Sequence, residues 1–154
     1  MIRSGFLLSL FAAAVVSGAA PDGAAGGYAV VISRKSWDDP AWKRVAERLV
    51  EKYPEATVIE WEATVDEVLP RLKAGFPRHA CFVATPAEAT AGFVAGVHRL
   101  TRRLDDDPYT DVFWGILTGF DAENALAIAA ESNPLVVRKA ASGTELALDR
   151  LEKK

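Results

Sequence analysis

The chain alternates between short apolar runs and longer segments whose apolar residues recur at helical spacing. The first run, Tyr28–Ser33, is apolar on both faces of an extended strand, as expected for a strand that is covered on both sides. Four similar runs predict further strands at Ala56–Trp61, His79–Ala84, Val112–Leu117 and Leu135–Lys139. Strands separated by helices favour right-handed crossovers, so the pattern predicts a three-layer α/β/α sandwich around a mainly parallel sheet of about five strands.

Capping signals mark where the intervening helices begin. A side chain that accepts hydrogen bonds from free backbone N–H groups stabilises a helix start, and proline fits the first turn. Such signals occur as Asp39 before Pro40, as the capping-box pairs Thr64 with Glu67 and Thr85 with Glu88, and as Asp121. Pro70 falls inside the second predicted helix, so we expect it to kink that helix or to shift its start.

The N-terminus has the features of an export signal. Arg3 supplies a positive charge, and Phe6–Val16 is an apolar run too short for a membrane span of roughly 20 residues. Ser17–Ala19 fits the small-x-small rule for cleavage after Ala19. We therefore expect residues 1–19 to be a signal peptide, with an uncleaved membrane anchor as the alternative. Export predicts a periplasmic or extracellular location.

The remaining chain is expected to form one domain. Residues 20–27 are a flexible leader, residues 28–139 the α/β domain, and residues 140–154 a charged tail or the start of a truncated connection. The net charge of −3 offers no basic stripe for nucleic acid and no polybasic patch for a membrane surface. Cys81 is the single cysteine of the sequence, so no internal disulfide can form and stability must come from the core.

In an open parallel sheet, binding residues collect at the carboxyl ends of the strands. The sequence places at that edge Ser33–Ser36, Trp61 with Glu62, Thr85, and Thr118–Asp121. The segment after the first strand lacks the glycines of a phosphate-binding loop. A phosphoacceptor site would need paired acids there and an aspartate after the third strand, but Arg34, Lys35 and Thr85 occupy those positions. That function class is excluded.

His79 and Cys81 share a face of the third predicted strand, which suggests a nucleophilic dyad. Alternate strand residues lie about 6.6 Å apart with parallel side chains, however, whereas a base must come within roughly 3 Å of its nucleophile. The pattern favours a buried apolar role for Cys81 and a surface position for His79. His98 lies beside the apolar stripe of the third helix and is interpreted as structural or solvent-facing. Two histidines and one cysteine support a zinc site poorly.

An acidic turn precedes the fourth predicted strand. It contains four carboxylates within seven residues, at Asp105, Asp106, Asp107 and Asp111. Calcium prefers such oxygens, so a calcium or ligand contact is one interpretation and calcium the one cofactor considered. The turn lacks the ligand spacing and glycine of a known calcium loop, which favours a solvated turn. Tyr109 and Trp114 are interpreted as packing residues.

The residues from this turn into the next helix form a dense pattern. Its positions are Asp107, Pro108, Tyr109, Asp111, Gly115, Gly119 and Asp121, which are taken as structural apart from the aspartates of the turn. The pattern resembles the N-terminal part of secreted gingipain-like cysteine peptidases, and the similarity extends from Tyr28 to about Thr144. The resemblance implies a caspase-like α/β/α sandwich, with layering similar to flavodoxin-like folds. In that family the catalytic His and Cys lie after this part, and no matching segments occur before Lys154, so no catalytic residue is assigned.

Two functions of different classes follow. The preferred hypothesis is an exported, non-catalytic N-terminal subdomain of a gingipain-like peptidase homologue, inactive alone and supporting a catalytic half. The alternative is a stand-alone extracytoplasmic binding module that uses the strand-end edge or the acidic turn. An independent hydrolase is weakest, because no nucleophile and base can be paired. A missing half would leave an apolar sheet edge exposed, so we expect self-association through that edge.

Overall fold

The computed structural model describes residues 27–133. The elements in this range are, in chain order, β1 Tyr28–Ser33, α1 Arg34–Asp38, α2 Pro40–Lys52, β2 Thr57–Trp61, a 3₁₀ helix Val65–Val68, α3 Leu69–Gly75, β3 His79–Val83, α4 Ala91–Leu100, β4 Phe113–Leu117 and α5 Ala122–Ala130. The predicted signal peptide, nearly all of the leader, the fifth strand at Leu135–Lys139 and the charged tail lie outside the described residues.

The strands form one parallel sheet in the order β2-β1-β3-β4. β1 pairs on one side with β2, where Val30 faces Val58, and on the other with β3, where Val30 faces Cys81. β4 pairs with β3, and Cys81 faces Gly115. The predicted parallel α/β sandwich is confirmed, with four strands among the described residues.

Two hydrophobic clusters cover the two faces of the sheet. The pleat of β1 directs Val31 into one cluster and Val30 with Ile32 into the other. The first cluster includes residues from the 3₁₀ helix, α3 and α4, namely Val65, Val68, Leu72, Val97 and Leu100. The second includes residues from α2 and α5, namely Trp42, Val45, Ala46, Leu49, Ala125 and Ala129. Each fully buried Val or Ile contributes about 1.5–3 kcal/mol, so this three-layer packing supplies the main stability.

Most of the predicted capping residues act as expected. Asp39 accepts a hydrogen bond from the backbone N–H of Ala41, and Asp121 accepts one from Asn124. Thr64 and Glu67 form a capping box, but it begins a 3₁₀ helix rather than an α-helix. Pro70 lies in the first turn of α3, so it shifts the helix start instead of kinking the helix.

Two local predictions were wrong or incomplete. Thr85 and Glu88 exchange capping-type hydrogen bonds, yet the segment stays a turn. α4 begins only after Thr90, whose hydroxyl accepts from the backbone N–H of Phe93. The short helix α1 was not predicted; Ser33 caps it by accepting from Ser36 N. Both differences occur at the carboxyl ends of strands, where Ser33, Ser36 and Thr85 form hydrogen bonds with Glu88.

Candidate functional site

The ends of β1 and β3 are joined through the carboxylate of Glu88. Ser33, at the end of β1, donates its hydroxyl hydrogen bond to Oε1 of Glu88. Ser36, in α1, donates to Oε2 at 2.7 Å. Thr85, after β3, donates to Oε2 from its backbone N–H at 2.9 Å and from its hydroxyl at 3.1 Å. Three residues that the sequence placed separately at this edge therefore converge on a fourth.

Glu88 is ionised at neutral pH. Partial burial by itself would raise the pKa of this carboxyl, but the hydrogen bonds from Ser33, the Thr85 backbone, Ser36 and the Thr85 hydroxyl outweigh it. The pKa of Glu88 is therefore below its ordinary value. Within residues 27–133 no lysine, arginine or histidine forms an ion pair with it. The site thus carries a negative charge that hydrogen bonds stabilise and no described cation neutralises.

A cleft of about 330 Å³ lies beside this carboxylate. Trp61, the last residue of β2, and Phe93, in the first turn of α4, form its aromatic wall, with ring centroids 6.0 Å apart and planes inclined by 28°. The remaining lining residues are Ala63, Thr64, Val65, Asp66, Glu88, Gly92, Gly96 and Arg99. A volume of this size, with apolar walls and few polar groups, is typical of a small-ligand site.

The loop after β2 forms one wall of the cleft and is held by a second carboxylate. Glu67 accepts hydrogen bonds from the backbone N–H groups of Glu62, Ala63 and Thr64 at 2.8, 2.9 and 2.9 Å. These bonds lower the pKa of Glu67. Asp66, on the same wall, pairs with Arg103 at 2.8 Å. The wall is therefore preorganised by hydrogen bonds, which reduces the cost of ordering it around a ligand.

Glycine leaves space on the opposite wall. Gly92 and Gly96 are four residues apart, so they lie on one face of α4. A Cβ atom at Gly92 would meet nothing closer than the Thr90 hydroxyl at 3.8 Å, whereas one at Gly96 would press on Val65 at 3.3 Å. Gly92 is consequently the position at which a larger side chain would fill the cleft without disturbing the core.

The remaining strand-end residues do not reach this cleft. Thr118–Asp121 follow β4 and lead into α5, where Asp121 serves as the helix cap. Gly119 is sterically required there, because a Cβ atom would lie 2.7 Å from the backbone nitrogen of Ala125. Phe120 is 95% exposed. Arg34 pairs with Glu60 at 3.0 Å on the surface. Of the predicted edge, Ser33, Ser36 and Thr85 meet at Glu88, and Trp61 lines the cleft that Glu88 also lines.

The thiol of Cys81 has the properties of a core group. Its side chain is buried, and burial raises the pKa of the thiol to about 11 although hydrogen bonds from Tyr28 and the Leu117 backbone oppose the shift. His79 is exposed, with its ring stacked near those of Tyr28 and Phe113. His98 is exposed and meets the edge of Trp114. A protonated thiol is a poor nucleophile, so these residues do not form a catalytic dyad.

Three aspartates of the acidic turn converge. Asp105, Asp107 and Asp111 each bring one carboxylate oxygen within 4.8 Å of the others, and Asp106 does not join them. Lost hydration of Asp111 raises its pKa first, and repulsion from Asp105 and Asp107 raises it further. Two of the acids already form turns: Asp105 accepts from Asp107 N and Asp107 from Tyr109 N. Hydrogen bonds of this kind occur in solvated turns and in cation-binding loops, so they do not by themselves indicate a bound cation.

The remaining positions of the resemblance pattern lie in and around β4. Tyr109 is 71% exposed, so its interpretation as a packing residue was wrong. Trp114 is half-buried and packs against the first core cluster. Pro108 is exposed, and a Cβ atom at Gly115 would meet nothing within 4 Å. Tyr109 lies in the turn before β4, where its backbone N–H donates a hydrogen bond to Asp107.

Sequence reasoning missed Gly92, Phe93 and Arg99, which line the cleft from α4, and it missed Glu88 as a site residue. The capping-box spacing of Glu88 to Thr85 was visible, but its two serine partners lie 55 and 52 residues away along the chain. A polar residue shortly after a buried strand was the available signal.

The comparisons with known proteins identify no relative. No protein-family model, no curated protein and no solved structure matches this chain. Within residues 27–133 no helix is both long and apolar enough to cross a membrane.

Proposed function

We propose that the protein is an extracytoplasmic binding module that takes a small ligand in the cleft beside Glu88. The observation that carries this proposal is an ionised carboxylate placed next to an aromatic wall of Trp61 and Phe93, at the carboxyl ends of parallel strands. Ligands of open α/β sheets bind at this edge. The site has the composition of a binding cleft, namely apolar walls with a small number of fixed polar groups.

The geometry favours binding over catalysis. Ser33 and Ser36 hydrogen-bond the Glu88 carboxylate, but both are buried and neither lines the cleft, so a ligand in the cleft does not reach their hydroxyls. Neither histidine lines the cleft, and the Cys81 thiol is buried in the core on the α2 and α5 side of the sheet. Within the described range, no serine, cysteine or histidine lines this cleft, so no accessible nucleophile of these types stands beside the Glu88 carboxylate.

Calorimetric titration with four probes tests the proposal. The probes are phenethylamine, hydrocinnamate, L-phenylalanine and glucose, which represent an aromatic cation, an aromatic anion, a zwitterion and a neutral sugar. At least one should bind, and Gly92→Leu should weaken that binding about tenfold or more by filling the cleft. Ala95→Leu is the matched control, because Ala95 is exposed on α4 and does not line the cleft. Failure of all four probes, or equal effects of the two variants, would contradict the proposal.

A second candidate function keeps the resemblance to gingipain-like peptidases. In it the chain is the non-catalytic N-terminal subdomain of such a cysteine peptidase homologue, inactive alone and paired with a catalytic half. The β4 edge of the sheet favours this candidate. Among the described residues β4 has one strand neighbour, β3, and Phe113 on β4 is 70% exposed. Exposed strand edges invite pairing with another chain.

Sedimentation velocity of the purified chain tests this second candidate. Pairing through β4 predicts dimers or larger species, and Phe113→Lys should shift the population towards monomer by placing a charge on the edge. Tyr109→Lys is the matched control, since Tyr109 is equally exposed but lies in the acidic turn before the strand. A clean monomer over a wide concentration range would contradict edge pairing.

A further inference from the structure

Two opposite charges line the cleft without an ion-pair partner among residues 27–133. One is the carboxylate of Glu88, and the other is the guanidinium of Arg99. The third charged lining residue, Asp66, is already paired with Arg103. On Glu88, Oε1 accepts a hydrogen bond from Ser33 alone, which leaves that oxygen able to accept one more.

Glu88 lies before α4, whereas Arg99 lies near the C-terminal end of that helix. Gly92, Gly96 and Arg99 follow one another on the same face of α4, and Glu88 precedes the helix. The rise of a helix separates Gly92 from Arg99 by about 10 Å along its axis. Side chains of a helix lean towards its N-terminus, so we expect the arginine to reach back towards Gly92 and to shorten the gap.

Aromatic rings line the same cleft as the two charged residues. Trp61 and Phe93 stand with ring centroids 6.0 Å apart, and both are half-buried, so part of each ring faces the cleft. An apolar group of a ligand is stabilised when it is buried against these rings. The Glu88 carboxylate and the Arg99 guanidinium are each best stabilised by a ligand group of opposite charge. A ligand that suits the whole cleft carries both charges and an apolar group.

We propose that the cleft binds a small zwitterion, an amino acid or a dipeptide, with its ammonium group at Glu88, its carboxylate at Arg99 and an apolar side chain against Trp61 and Phe93. This inference rests on the proposed binding function and gives its ligand class. The two forms share the same chemistry and differ in the distance between their charges. A dipeptide spans more of the cleft than a single amino acid does.

Titrations with probes that lack one charge test the inference. L-phenylalanine and L-alanyl-L-phenylalanine represent the two forms, phenethylamine lacks the carboxylate, and hydrocinnamate lacks the ammonium. The better zwitterion should bind about tenfold more tightly than either single-charge probe, as expected for one charge-assisted hydrogen bond. Comparison of the two zwitterions identifies the form. If phenethylamine or hydrocinnamate binds as tightly as the better zwitterion, the inference is overturned.

Two variants assign the charges. In Arg99→Gln, the zwitterion should no longer bind more tightly than phenethylamine but should still bind more tightly than hydrocinnamate. In Glu88→Gln, the zwitterion should still bind more tightly than phenethylamine but no longer more tightly than hydrocinnamate. Arg102→Gln is the matched control, because Arg102 is exposed nearby and does not line the cleft. Arg99 is exposed, so Arg99→Gln should leave the fold intact. This variant therefore tests the charge assignment even if Glu88→Gln weakens the fold. If Arg99→Gln keeps both preferences for the zwitterion, the inference is overturned. If glucose or a single-charge probe binds and neither zwitterion does, the inference is overturned but the proposed binding function stands.

Discussion

Ser36 Oγ donates a 2.7 Å hydrogen bond to Oε2 of Glu88, across 52 residues of sequence. The bond joins the helix that follows β1 to the turn that follows β3. Ser33 adds a second bond between the same segments. Because the serine side chains are buried, Glu88 is the group that satisfies them, and it also stands at the edge of the proposed ligand cleft.

Replacing Glu88 by alanine should destabilise the fold. The change leaves the buried hydroxyls of Ser33 and Ser36 without their acceptor, and an unsatisfied buried polar group costs about 1–3 kcal/mol. Urea denaturation measures the loss as a lower midpoint. Glu55→Ala is the control, since Glu55 is exposed and makes no hydrogen bond among the described residues. Equal midpoints for the two variants would contradict the structural role of Glu88.

The same carboxylate should make stability depend on pH. The pKa of Glu88 is lower in the folded chain than its ordinary value of 4.5, so the folded state binds its proton less readily than the unfolded state. Its contribution is present above that ordinary value and is lost as pH falls through the lower folded pKa. Thermal unfolding of the wild type between pH 7 and pH 3 should therefore show a steeper acid loss than that of Glu88→Gln. Parallel curves would contradict the prediction.

Cys81 should be unreactive in the folded chain. With a pKa of about 11, about one thiol in a thousand is ionised at pH 8, and burial restricts access as well. A thiol-reactive dye should label the native protein far more slowly than the urea-unfolded protein. Cys81→Ala should also leave the affinity of any bound probe unchanged. Native labelling at the unfolded rate would point to an accessible, activated thiol.

Asp111→Asn should stabilise the fold at neutral pH. Lost hydration and the nearby Asp105 and Asp107 raise the pKa of Asp111, so its charged form is disfavoured when folded. Removing that charge should raise the thermal midpoint at low salt, and the gain should shrink at high salt and at acid pH. Calcium should leave the midpoint of the wild type unchanged. A calcium-induced rise that Asp111→Asn abolishes would instead make the turn a cation site.

The strands were predictable because their apolar runs are continuous. β1 was predicted with its observed bounds, and the other three described strands to within one residue at each end. A strand of a parallel sheet is buried on both faces, so its sequence is a continuous apolar run that can be recognised without knowledge of the fold. Helix starts followed from Asp39 and Asp121 for a similar reason, since the capping side chain and the N–H group it binds are two or three residues apart.

The site was less predictable because its interactions are not local. Thr85 and Glu88 have the spacing of a capping box, but the glutamate also binds Ser33 and Ser36 from another part of the chain. The turn therefore persists and α4 starts later, at Ala91. The cleft likewise pairs Trp61 of β2 with Phe93 of α4, a contact that depends on how two elements pack. Local patterns do not contain that information.

Amide NMR of the ¹⁵N-labelled chain shows whether a small ligand binds in the cleft beside Glu88. Spectra would be recorded during titration with L-phenylalanine, phenethylamine, hydrocinnamate and glucose in turn. A probe that binds should shift the amides of Glu88, Gly92 and Phe93 and the indole N–H of Trp61. The amides of the acidic turn at Asp105–Asp111 should not shift. Shifts confined to that turn, or no shifts with any of the four probes, would contradict a ligand site in this cleft.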